Sequence, residues 1–576
     1  MDAQEKIFAP TQNLGMVRIV PLGGCGEFGM NLTCFLSGGK LFVVDAGIRF
    51  PDAFRLGVDA VLPDVDKWFA EAGGVYAYIL THGHEDHIGA MPHILQKWPA
   101  PVYGTAWTIE LLRNKLFRLG RDPEQYKLKV VAPGDHVVTE GFDAEYVHIN
   151  HSIPMACSLN LRFPGLTIFH TGDFKFEEDP IIERPADLER LKRIGDEGVD
   201  LLLADSTNAE KDGFCPAENS IYEPLLKVIN QCERAAVVTT FSSNLWRIKT
   251  IVDVCRAAGR RLYITGGGLE NTLNVAKAVG IYEVPPELRI ADELLASVPR
   301  DRLMVLATGC QGERRSSLAR IAAGEHRFFR LNPGDTVIWS SRLIPGNEKA
   351  VISLSNNVQR LGAKVITARE APGIHVSGHA YGGDIGRLLQ LIRPKNFLPI
   401  HGAFSQLNAN YQRPLLTPNS VAQAQIVESG DVIDVDKEGT TIIGRLEIEL
   451  KFLESDGSGL MSYGELRERL RIGELGMARV DGVYNIPNET WVVEPTIELI
   501  GIGFPENLRK SDWLCAKASK IKQLVPQLLL QKNLTAAQAS EEIRQFIRRE
   551  LQRILRKKPV VSVKIHCIDF SINLLD

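Results

Sequence analysis

The segment Thr81–His87 constrains this chain more than any other part of its sequence. From His82 to His87 it packs three histidines and two carboxylates into six residues, directly after the apolar run from Val75 to Leu80. Such a run predicts a buried strand, so the polar side chains lie where a loop can turn them toward one point. Imidazole and carboxylate together suit zinc or manganese better than calcium, which prefers oxygen ligands. The segment predicts a metal site, and a solvated turn is the weaker interpretation.

The composition is typical of a globular protein. The chain has 576 residues, 44% hydrophobic and 24% charged, which is enough for three or four domains. It contains no apolar run long enough to cross a membrane, and its first residues do not resemble a signal peptide. Nine scattered cysteines without a C-x-x-C pair indicate reduced thiols, so we expect a cytoplasmic protein.

The charge balance leaves nucleic acid open as a substrate. The net charge is −4, whereas a protein that coats nucleic acid would usually be more basic. A local basic channel and bound divalent cations would be sufficient to hold RNA.

The first part of the chain repeats one pattern, in which an apolar strand ends in a carboxylate or a histidine. It occurs at Asp45, His82, Asp173 and Asp205. Open α/β folds place their ligands at such strand ends. Residues 216–365 instead alternate strand-like and helix-like runs, which predicts a parallel sheet with helices on its faces. Ligand-type residues return after that block, so the chain leaves one domain, builds another and comes back.

The last part of the chain looks separate. Thr535 begins a plausible capping box for a helix with one apolar face and many arginines, Pro559 ends that helix, and Val560–Ile565 resembles a strand. The basic face is most simply a solvated surface; contact with RNA or oligomerisation is the alternative. The predicted domains are 1–215 and 366–435 for the interrupted domain, 216–365 for the inserted domain, 436–449 for a linker and 450–576 for a C-terminal domain.

The spacing of the ligands suggests two adjacent metal ions. His82, His84, Asp86 and His87 cannot all reach one ion, because neighbours in a loop point in different directions. Asp173 is a good bridging carboxylate, and two ions can hold a hydroxide between them for an in-line displacement at phosphorus. We expect one ion on His82, His84 and His151, and the other on Asp86, His87 and His401. Taken alone, His151 or His401 would more often be structural, but the cluster reverses those odds.

Other polar residues suggest roles around the metals. Asp45 is expected to orient an imidazole rather than bind metal. Asp205 and His379 form a candidate catalytic pair, in which the imidazolium protonates a leaving oxygen; a helix cap is the alternative for Asp205.

Two segments are candidate phosphate sites. The loop of His375, Val376, Ser377, Gly378 and His379 has a small hydroxyl and a glycine among backbone N–H groups. Ser242, Ser243 and Asn244 precede a predicted helix, whose N-terminus favours anions. An ordinary N-cap is equally consistent with this second segment.

These residues resemble a known family. His82–His87, His151, Asp173 and Asp45 are similar to the metallo-β-lactamase motif set, and Asp205, His379 and His401 resemble the additional motifs of the β-CASP nucleases. Finer matches resemble the ribonuclease J family. They are Gly47–Pro51, His151–Pro154, Thr171–Phe176, Asp205–Asn208 and Asn332–Thr336.

The resemblance implies an α/β protein with a metallo-β-lactamase αββα sandwich, an inserted β-CASP α/β domain and a small α+β C-terminal domain. It implies 5′-to-3′ exonuclease and endonuclease activity in RNA maturation and mRNA decay, on RNA with a 5′-monophosphate end. Two zinc ions are the expected cofactors, with manganese or magnesium as alternatives, and a homodimer or homotetramer is the expected assembly. Gly57, Asp59 and Asp456 resemble a structural calcium or manganese site of some members.

Three departures from the family pattern are visible, at Met155, Gly266–Gly268 and Phe241–Asn244, and none touches a predicted metal ligand. Two other functions were weighed. A hydrolase of small esters or lactones is disfavoured by the inserted domain and the phosphate-type loop. A catalytically silent RNA-binding scaffold is disfavoured by the complete ligand set.

Overall fold

The computed structural model describes residues 7, 15–51, 57–344, 346–417, 421–454 and 459–568. Its internal packing divides the chain into two compact units, Met1–Gly459 and Leu460–Asp576. Each unit has its own hydrophobic core.

The strands of the first unit are β1 (Val17–Gly23), β2 (Cys25–Gly26), β3 (Leu32–Ser37), β4 (Lys40–Val44), β5 (Val58–Pro63), β6 (Ala77–Ile79), β7 (Val102–Thr105), β8 (Leu128–Val131), β9 (His136–Thr139), β10 (Phe142–His148), β11 (Cys157–Phe163), β12 (Leu166–His170), β13 (Leu201–Asp205), β14 (Ala236–Thr239), β15 (Arg261–Thr265), β16 (Leu303–Ala307), β17 (Thr336–Trp339), β18 (Lys364–Ile366), β19 (Asn396–Ile400), β20 (Gly402–Ala403), β21 (Gln423–Ala424), β22 (Asp431–Val435), β23 (Thr440–Arg445) and β24 (Leu450–Glu454).

Its helices are α1 (Asp66–Glu71), α2 (Glu85–Ile88), α3 (Met91–Lys97), α4 (Ala106–Arg118), α5 (Leu188–Glu197), α6 (Tyr222–Asn230), α7 (Leu245–Ala257), α8 (Gly267–Ala278), α9 (Ser317–Ala322), α10 (Glu348–Arg360), α11 (Gly382–Ile392), α12 (Phe404–Tyr411) and α13 (Arg413–Leu416).

Two mixed sheets form the centre of the first unit. One has eight strands in the order β23-β22-β1-β3-β4-β6-β7-β8, and the other has seven in the order β21-β19-β13-β12-β11-β10-β9. They share an apolar core that includes Phe35 and Phe42 of the first sheet and Leu159 and Leu203 of the second. Helices α1, α3 and α4 cover the outer face of the first sheet, and α5 and α11 cover that of the second. The predicted four-layer αββα sandwich is therefore confirmed.

The inserted block is also as predicted. Strands β15-β16-β14-β17-β18 form a five-stranded sheet in which every pairing is parallel, with helices between the strands in sequence. The expected alternation of strands and helices is present, and Asn244 is the N-cap of α7. Strand β24 pairs with β5 inside the first unit, so residues 450–454 lie there and not in the C-terminal unit to which the sequence analysis assigned them.

The strands that carry the predicted ligands run in the same direction within each sheet. Strands β4 and β6 are parallel neighbours, and so are β12, β13 and β19. Strand β10 is antiparallel to β11, which is antiparallel to β12, so β10 also ends at the edge where β12 ends. The carboxyl ends of these strands bring Asp45, His82, His151, Asp173, Asp205 and His401 toward one region.

The second unit contains the strands β25 (Leu460–Ser462), β26 (Met477–Asn485), β27 (Thr490–Ile500) and β28 (Val560–Ile568) and the helices α14 (Tyr463–Leu475), α15 (Lys510–Pro526) and α16 (Ala536–Leu555). Its sheet has the order β27-β26-β28, and the apolar faces of α15 and α16 pack on it. The capping box at Thr535 is present, as predicted. Among the described residues, no helix has the length and apolar character that crossing a membrane requires.

Candidate metal centre and active site

Two of the strand ends are held in an unusual backbone conformation. Asp45 follows β4 with φ of 58°, and His401 follows β19 with φ of 55°. Residues other than glycine rarely adopt this left-handed region, and such conformations cluster at functional sites because the surrounding fold must enforce them. The fold thus imposes backbone strain to aim these two side chains.

The first group of ligand atoms consists of His82, His84, His151 and Asp173. His84 Nδ1 lies 3.1 Å from both His82 Nε2 and His151 Nε2. Asp173 Oδ2 lies 3.6 Å from His82 Nε2 and 3.5 Å from His151 Nε2. Four ligands held tetrahedrally at the usual zinc distances would be about 3.4 Å apart, so these spacings fit one ion.

The second group consists of Asp86, His87, His401 and Asp173. Here the other carboxylate oxygen, Asp173 Oδ1, lies 3.2 Å from His87 Nε2 and 3.5 Å from His401 Nε2. Asp86 Oδ2 is 3.3 Å from His401 Nε2 and 3.7 Å from His87 Nε2. In each group the ligand atoms all lie within 4.8 Å of one another. Asp173 therefore offers one oxygen to each group.

Hydrogen bonds to the far nitrogen of most rings leave the near nitrogen as a ligand. His87 Nδ1 lies 2.7 Å from Asp45 Oδ2, and His151 Nδ1 lies 2.7 Å from the Gly378 carbonyl. His401 Nδ1 lies 2.7 Å from Thr207 Oγ1. A ring that donates from Nδ1 presents its Nε2 lone pair, which is how metal-binding imidazoles are usually oriented. Asp45 thus contacts an imidazole from outside the ligand groups.

One buried polar atom supports the fit of metal ions. Asp173 is 2% exposed, and its Oδ1 accepts no hydrogen bond from any described residue. A buried carboxylate oxygen without a donor is costly unless it binds a cation. The donors of both groups, imidazoles and carboxylates, are those that divalent metals take. The residues therefore fit the two ions that the sequence analysis expected.

The pKa values of the histidines differ between the two groups of ligand atoms. Burial lowers the pKa of His82 and His151 far below its usual value and that of His84 to about 4, so these rings are neutral ligands. Burial acts in the same direction on His87, but the carboxylates of Asp173, Asp86 and Asp45 outweigh it and raise the pKa of His87 to about 10. The second group carries excess negative charge, which a divalent cation would balance.

Asp205 and His379 form the pair that the sequence suggested. His379 Nδ1 lies 2.8 Å from Asp205 Oδ2, and this carboxylate is fully buried. Burial disfavours the imidazolium, but Asp205 and Asp173 outweigh burial and raise the pKa of His379. Asp205 Oδ1 also accepts hydrogen bonds from Thr207 N and Oγ1, which stabilise a turn. No helix begins at this point of the described chain, so the helix-cap alternative for Asp205 is wrong. His379 and His151 have ring centroids 4.8 Å apart, which places the pair beside the metal ligands.

The loop His375–His379 contacts a residue near Asp205 and a residue of the first ligand group. Ser377 Oγ accepts from Asn208 Nδ2 at 2.8 Å, and the Gly378 carbonyl contacts His151. A Cβ atom at Gly378 would lie 2.5 Å from Ser152 Oγ, so the close approach requires glycine. The N-terminal turn of α7 lies beside the same loop, because Arg247 contacts His375 Nδ1 at 3.1 Å and donates to the Val376 carbonyl at 3.2 Å.

The segment Ser242–Asn244 is a helix cap in the structure. Asn244 Oδ1 accepts from Arg247 N at 2.9 Å, and Ser242 and Ser243 are half-buried just before it. The N-cap interpretation is thus present, and an anion at the same helix end is compatible with it. Gly57 and Asp59 are exposed at the start of β5, whereas Asp456 lies outside the described residues, so a metal site formed by the three stays a prediction.

Several residues that support the site were missed by the sequence analysis. Thr81 Oγ1 lies 2.7 Å from Asp45 Oδ2 and 3.0 Å from His82 Nδ1, and its place directly before His82 was a usable signal. Arg247 and Arg342 had no such signal, because they lie far from the loop in sequence. Arg342 donates to Asn208 Oδ1 at 2.7 Å, and Arg247 forms a buried ion pair with Glu218.

Comparison with known families covers most of the chain. The family described as "Metallo-beta-lactamase superfamily" matches residues 29–227, "Ribonuclease J, beta-CASP domain" matches 233–358, and "Zn-dependent metallo-hydrolase RNA specificity domain" matches 371–411.

Curated relatives match over most of the chain. The chain is 32% identical to a ribonuclease J of Mycolicibacterium smegmatis, over 95% of this chain and 96% of the relative. It is 36% identical to a ribonuclease J of Mycobacterium tuberculosis, over 79% and 81% of the two chains, and 34% identical to one of Thermus thermophilus, over 85% of each. A solved protein of unknown function from Enterococcus faecalis, 15% identical, shares the fold with a TM-score of 0.52 over 73% of this chain and 100% of its own.

The four-layer sandwich, the inserted parallel-sheet domain and the paired histidine and carboxylate groups define a metal-dependent RNA nuclease of the metallo-β-lactamase superfamily. Within that class, the chain belongs to the ribonuclease J family. The earlier alternatives, an ester hydrolase and a silent scaffold, give way to this assignment.

Proposed function

We propose that the chain hydrolyses RNA phosphodiesters with two metal ions, one held by His82, His84 and His151 and the other by Asp86, His87 and His401. Asp173 bridges them. The observation that carries this proposal is that the two carboxylate oxygens of Asp173 face different ligand groups. Its Oδ2 faces the first group and its Oδ1 faces the second. When bound, two such ions supply a hydroxide nucleophile and neutralise phosphoryl charge. The nitrogen-rich ligand set favours zinc over magnesium, with manganese as the alternative.

His379 acts as the general acid in this proposal. Asp205 Oδ2 lies 2.8 Å from His379 Nδ1 and accepts a hydrogen bond from it. This carboxylate favours the imidazolium, so the other ring nitrogen also carries a proton. That proton can pass to the leaving oxygen of the RNA, a transfer worth about 10²–10⁴ in rate when the acid is well placed.

The loop His375–His379 binds a phosphate of the substrate. Burial and then four cations, Arg247, Lys211, Arg342 and Lys175, lower the pKa of His375 to about 2. The same positive potential that disfavours a charged His375 favours a phosphate. Ser377 Oγ and the backbone of the loop supply hydrogen-bond partners, and the helix end at Ser242, Ser243 and Asn244 supplies a second anion site.

This pair of phosphate sites supports a 5′-to-3′ exonuclease that prefers a 5′-monophosphate end, with endonuclease activity as its second mode. The assembly is a homodimer or homotetramer in this proposal. All nine cysteines are free thiols, which supports a cytoplasmic location.

Cleavage assays test the activity. Zinc-loaded protein is incubated with one 3′-labelled RNA that carries a 5′-monophosphate, a 5′-triphosphate or a 5′-hydroxyl, and with a thioester. We expect release of mononucleotides, fastest from the monophosphate. Equal rates on the three RNAs would contradict the 5′-end preference, and turnover of the thioester without RNA cleavage would contradict the nuclease.

Metal analysis tests the two-ion arrangement separately. Each of His84→Ala and His401→Ala should lower the bound metal from two ions to about one per chain, and Asp173→Asn should weaken both. Equal metal content in all three variants and the parent chain would contradict the ligand assignment.

A further inference from the structure

The second unit contains a cavity of about 410 Å³ whose lining includes four arginines. It lies between α14, α16 and the beginning of β28. The residues that matter are Arg467, Glu468, Arg471, Arg544, Arg548 and Pro559. We call it the arginine groove. None of its residues belongs to the metal centre.

The charges in the groove are largely unbalanced. Four guanidinium groups face a single lining carboxylate, that of Glu468. Arg544 is paired with Glu541 at 2.6 Å. Within the described residues, Arg467, Arg471 and Arg548 form no ion pair, although elsewhere on α16 Arg553 pairs with Glu550 at 2.9 Å. Glu541 also interacts electrostatically with Arg548, as the lowering of its pKa by Arg544 and Arg548 shows. The uncompensated positive charge of the groove therefore lies mainly on Arg467 and Arg471.

The arginines are arranged in two rows. Arg467 and Arg471 are four residues apart on α14, and Arg544 and Arg548 are four apart on α16, so each row has a spacing of about 6 Å along its helix. Like charges at this spacing destabilise a helix in the absence of a counter-charge. Guanidinium groups bind phosphate with two parallel hydrogen bonds, and arginine is the residue of choice for phosphate recognition. Paired rows of this kind suit a ligand with repeated phosphates.

We propose that the arginine groove binds the phosphate backbone of RNA, independently of base sequence. This inference rests on the proposed function in that it takes the same RNA as its ligand. The observations favour RNA over an acidic protein surface because the basic side chains are all arginines and stand in two regular rows, of which the row on α14 forms no ion pair among the described residues. The groove would hold substrate by charge and leave the chemistry to the first unit.

A binding experiment with the full chain tests the groove. The zinc-loaded His84→Ala protein is used as the background so that the RNA stays intact, and a labelled, unstructured 30-nucleotide RNA is titrated by fluorescence anisotropy at several KCl concentrations. The test variant adds R467Q and R471Q. The matched control adds R549Q and R553Q, which remove two arginines from α16 that do not line the groove.

Removing two phosphate contacts should lower the slope of log K against log[salt] by about 1.4, because each contact to a single strand contributes about 0.7. We expect the test variant to bind roughly tenfold more weakly at low salt, with the control within about twofold of the background. Thermal unfolding of both variants confirms that they remain folded.

Equal slopes and affinities for the test and control variants would overturn the inference. A fall in sedimentation mass for the test variant, with unchanged RNA binding, would also overturn it and show that the groove holds an acidic surface of another chain. These results are separate from the proposed function, because cleavage by the parent chain is measured independently of binding by the inactive background.

Discussion

The metal centre and the arginine groove both carry dense charge, but they hold it in opposite ways. At the metal centre, His82, His87, His151 and Asp173 are at most 2% exposed, and hydrogen bonds fix most of the rings. In the groove, Arg467 and Arg471 are exposed and unpaired among the described residues. Burial fixes a geometry, which bond cleavage needs, whereas exposed charge gives attraction without geometry, which is enough to retain a polyanion.

This difference predicts that single substitutions have large effects at the metal centre and small ones in the groove. The largest effect is expected for His84→Ala. Losing one ligand should lower RNA cleavage by about 10³-fold or more, because each ion contributes several kcal/mol of charge stabilisation in the transition state. Initial rates and circular dichroism together measure this. Near-normal turnover by a folded variant would break the two-ion mechanism.

His379→Ala is expected to have the next largest effect. It removes the proposed general acid but no assigned metal ligand, so kcat should fall about 10²-fold or more while the bound metal stays the same. His375→Ala is the comparison variant, because His375 lies in the same loop and should affect KM more than kcat. An unchanged kcat for His379→Ala would show that the leaving oxygen obtains its proton elsewhere.

A buried and an exposed arginine show how burial changes the contribution of a charged side chain to the free energy of unfolding. Arg247 is fully buried, is paired with Glu218 and donates to the Ser340 carbonyl at 2.9 Å. Arg247→Ala should lower the free energy of unfolding by about 3 kcal/mol or more, because it leaves Glu218 charged and buried. Arg471→Ala in the groove should change it by less than about 0.5 kcal/mol. Denaturant titration measures both, and similar values for the two would contradict the contrast.

Glu183→Gln should have a small effect on stability, with a distinct pH dependence. Burial raises the pKa of Glu183 from 4.5 to about 7, while Oε1 accepts from Met155 N at 2.5 Å. The folded chain thus keeps a proton that the unfolded chain loses above pH 4.5, so stability falls as the pH rises through this window.

Glutamine cannot ionise, so the free energy of unfolding of the variant should match that of the parent near pH 5 and exceed it by about 1 kcal/mol near pH 8. This value is smaller than the full pKa shift would give, because Glu183 is partly exposed. Thermal unfolding at the two pH values checks this. A constant difference would contradict the assignment of the titration to Glu183.

Local patterns in the sequence predicted the fold and brought the candidate ligands to strand ends that the structure places together. The apolar runs before Asp45, His82, Asp173 and Asp205 are continuous, so they predicted strands whose ends carry ligands, and strand direction brought them together. The parallel sheet of the inserted block followed from its regular alternation. These signals are local, and local patterns are what a single sequence displays.

The residues that escaped prediction act over long sequence distances. Arg247 is 128 residues from His375, and Arg342 is 134 from Asn208. Nothing near either arginine indicates its partner, because the contact exists only after two parts of the chain have packed. The arginine groove is a similar case: its rows lie on α14 and α16, and only packing places them face to face.

The place of His401 has a consequence for the synthesis of the protein. His401 follows β19, which pairs with β13 although the inserted domain separates these two strands in sequence. His401 also completes a ligand group whose first member in sequence is Asp86. A ribosome makes the chain from its N-terminus, so the second ligand group cannot be complete until the strands on both sides of the inserted domain have been synthesised.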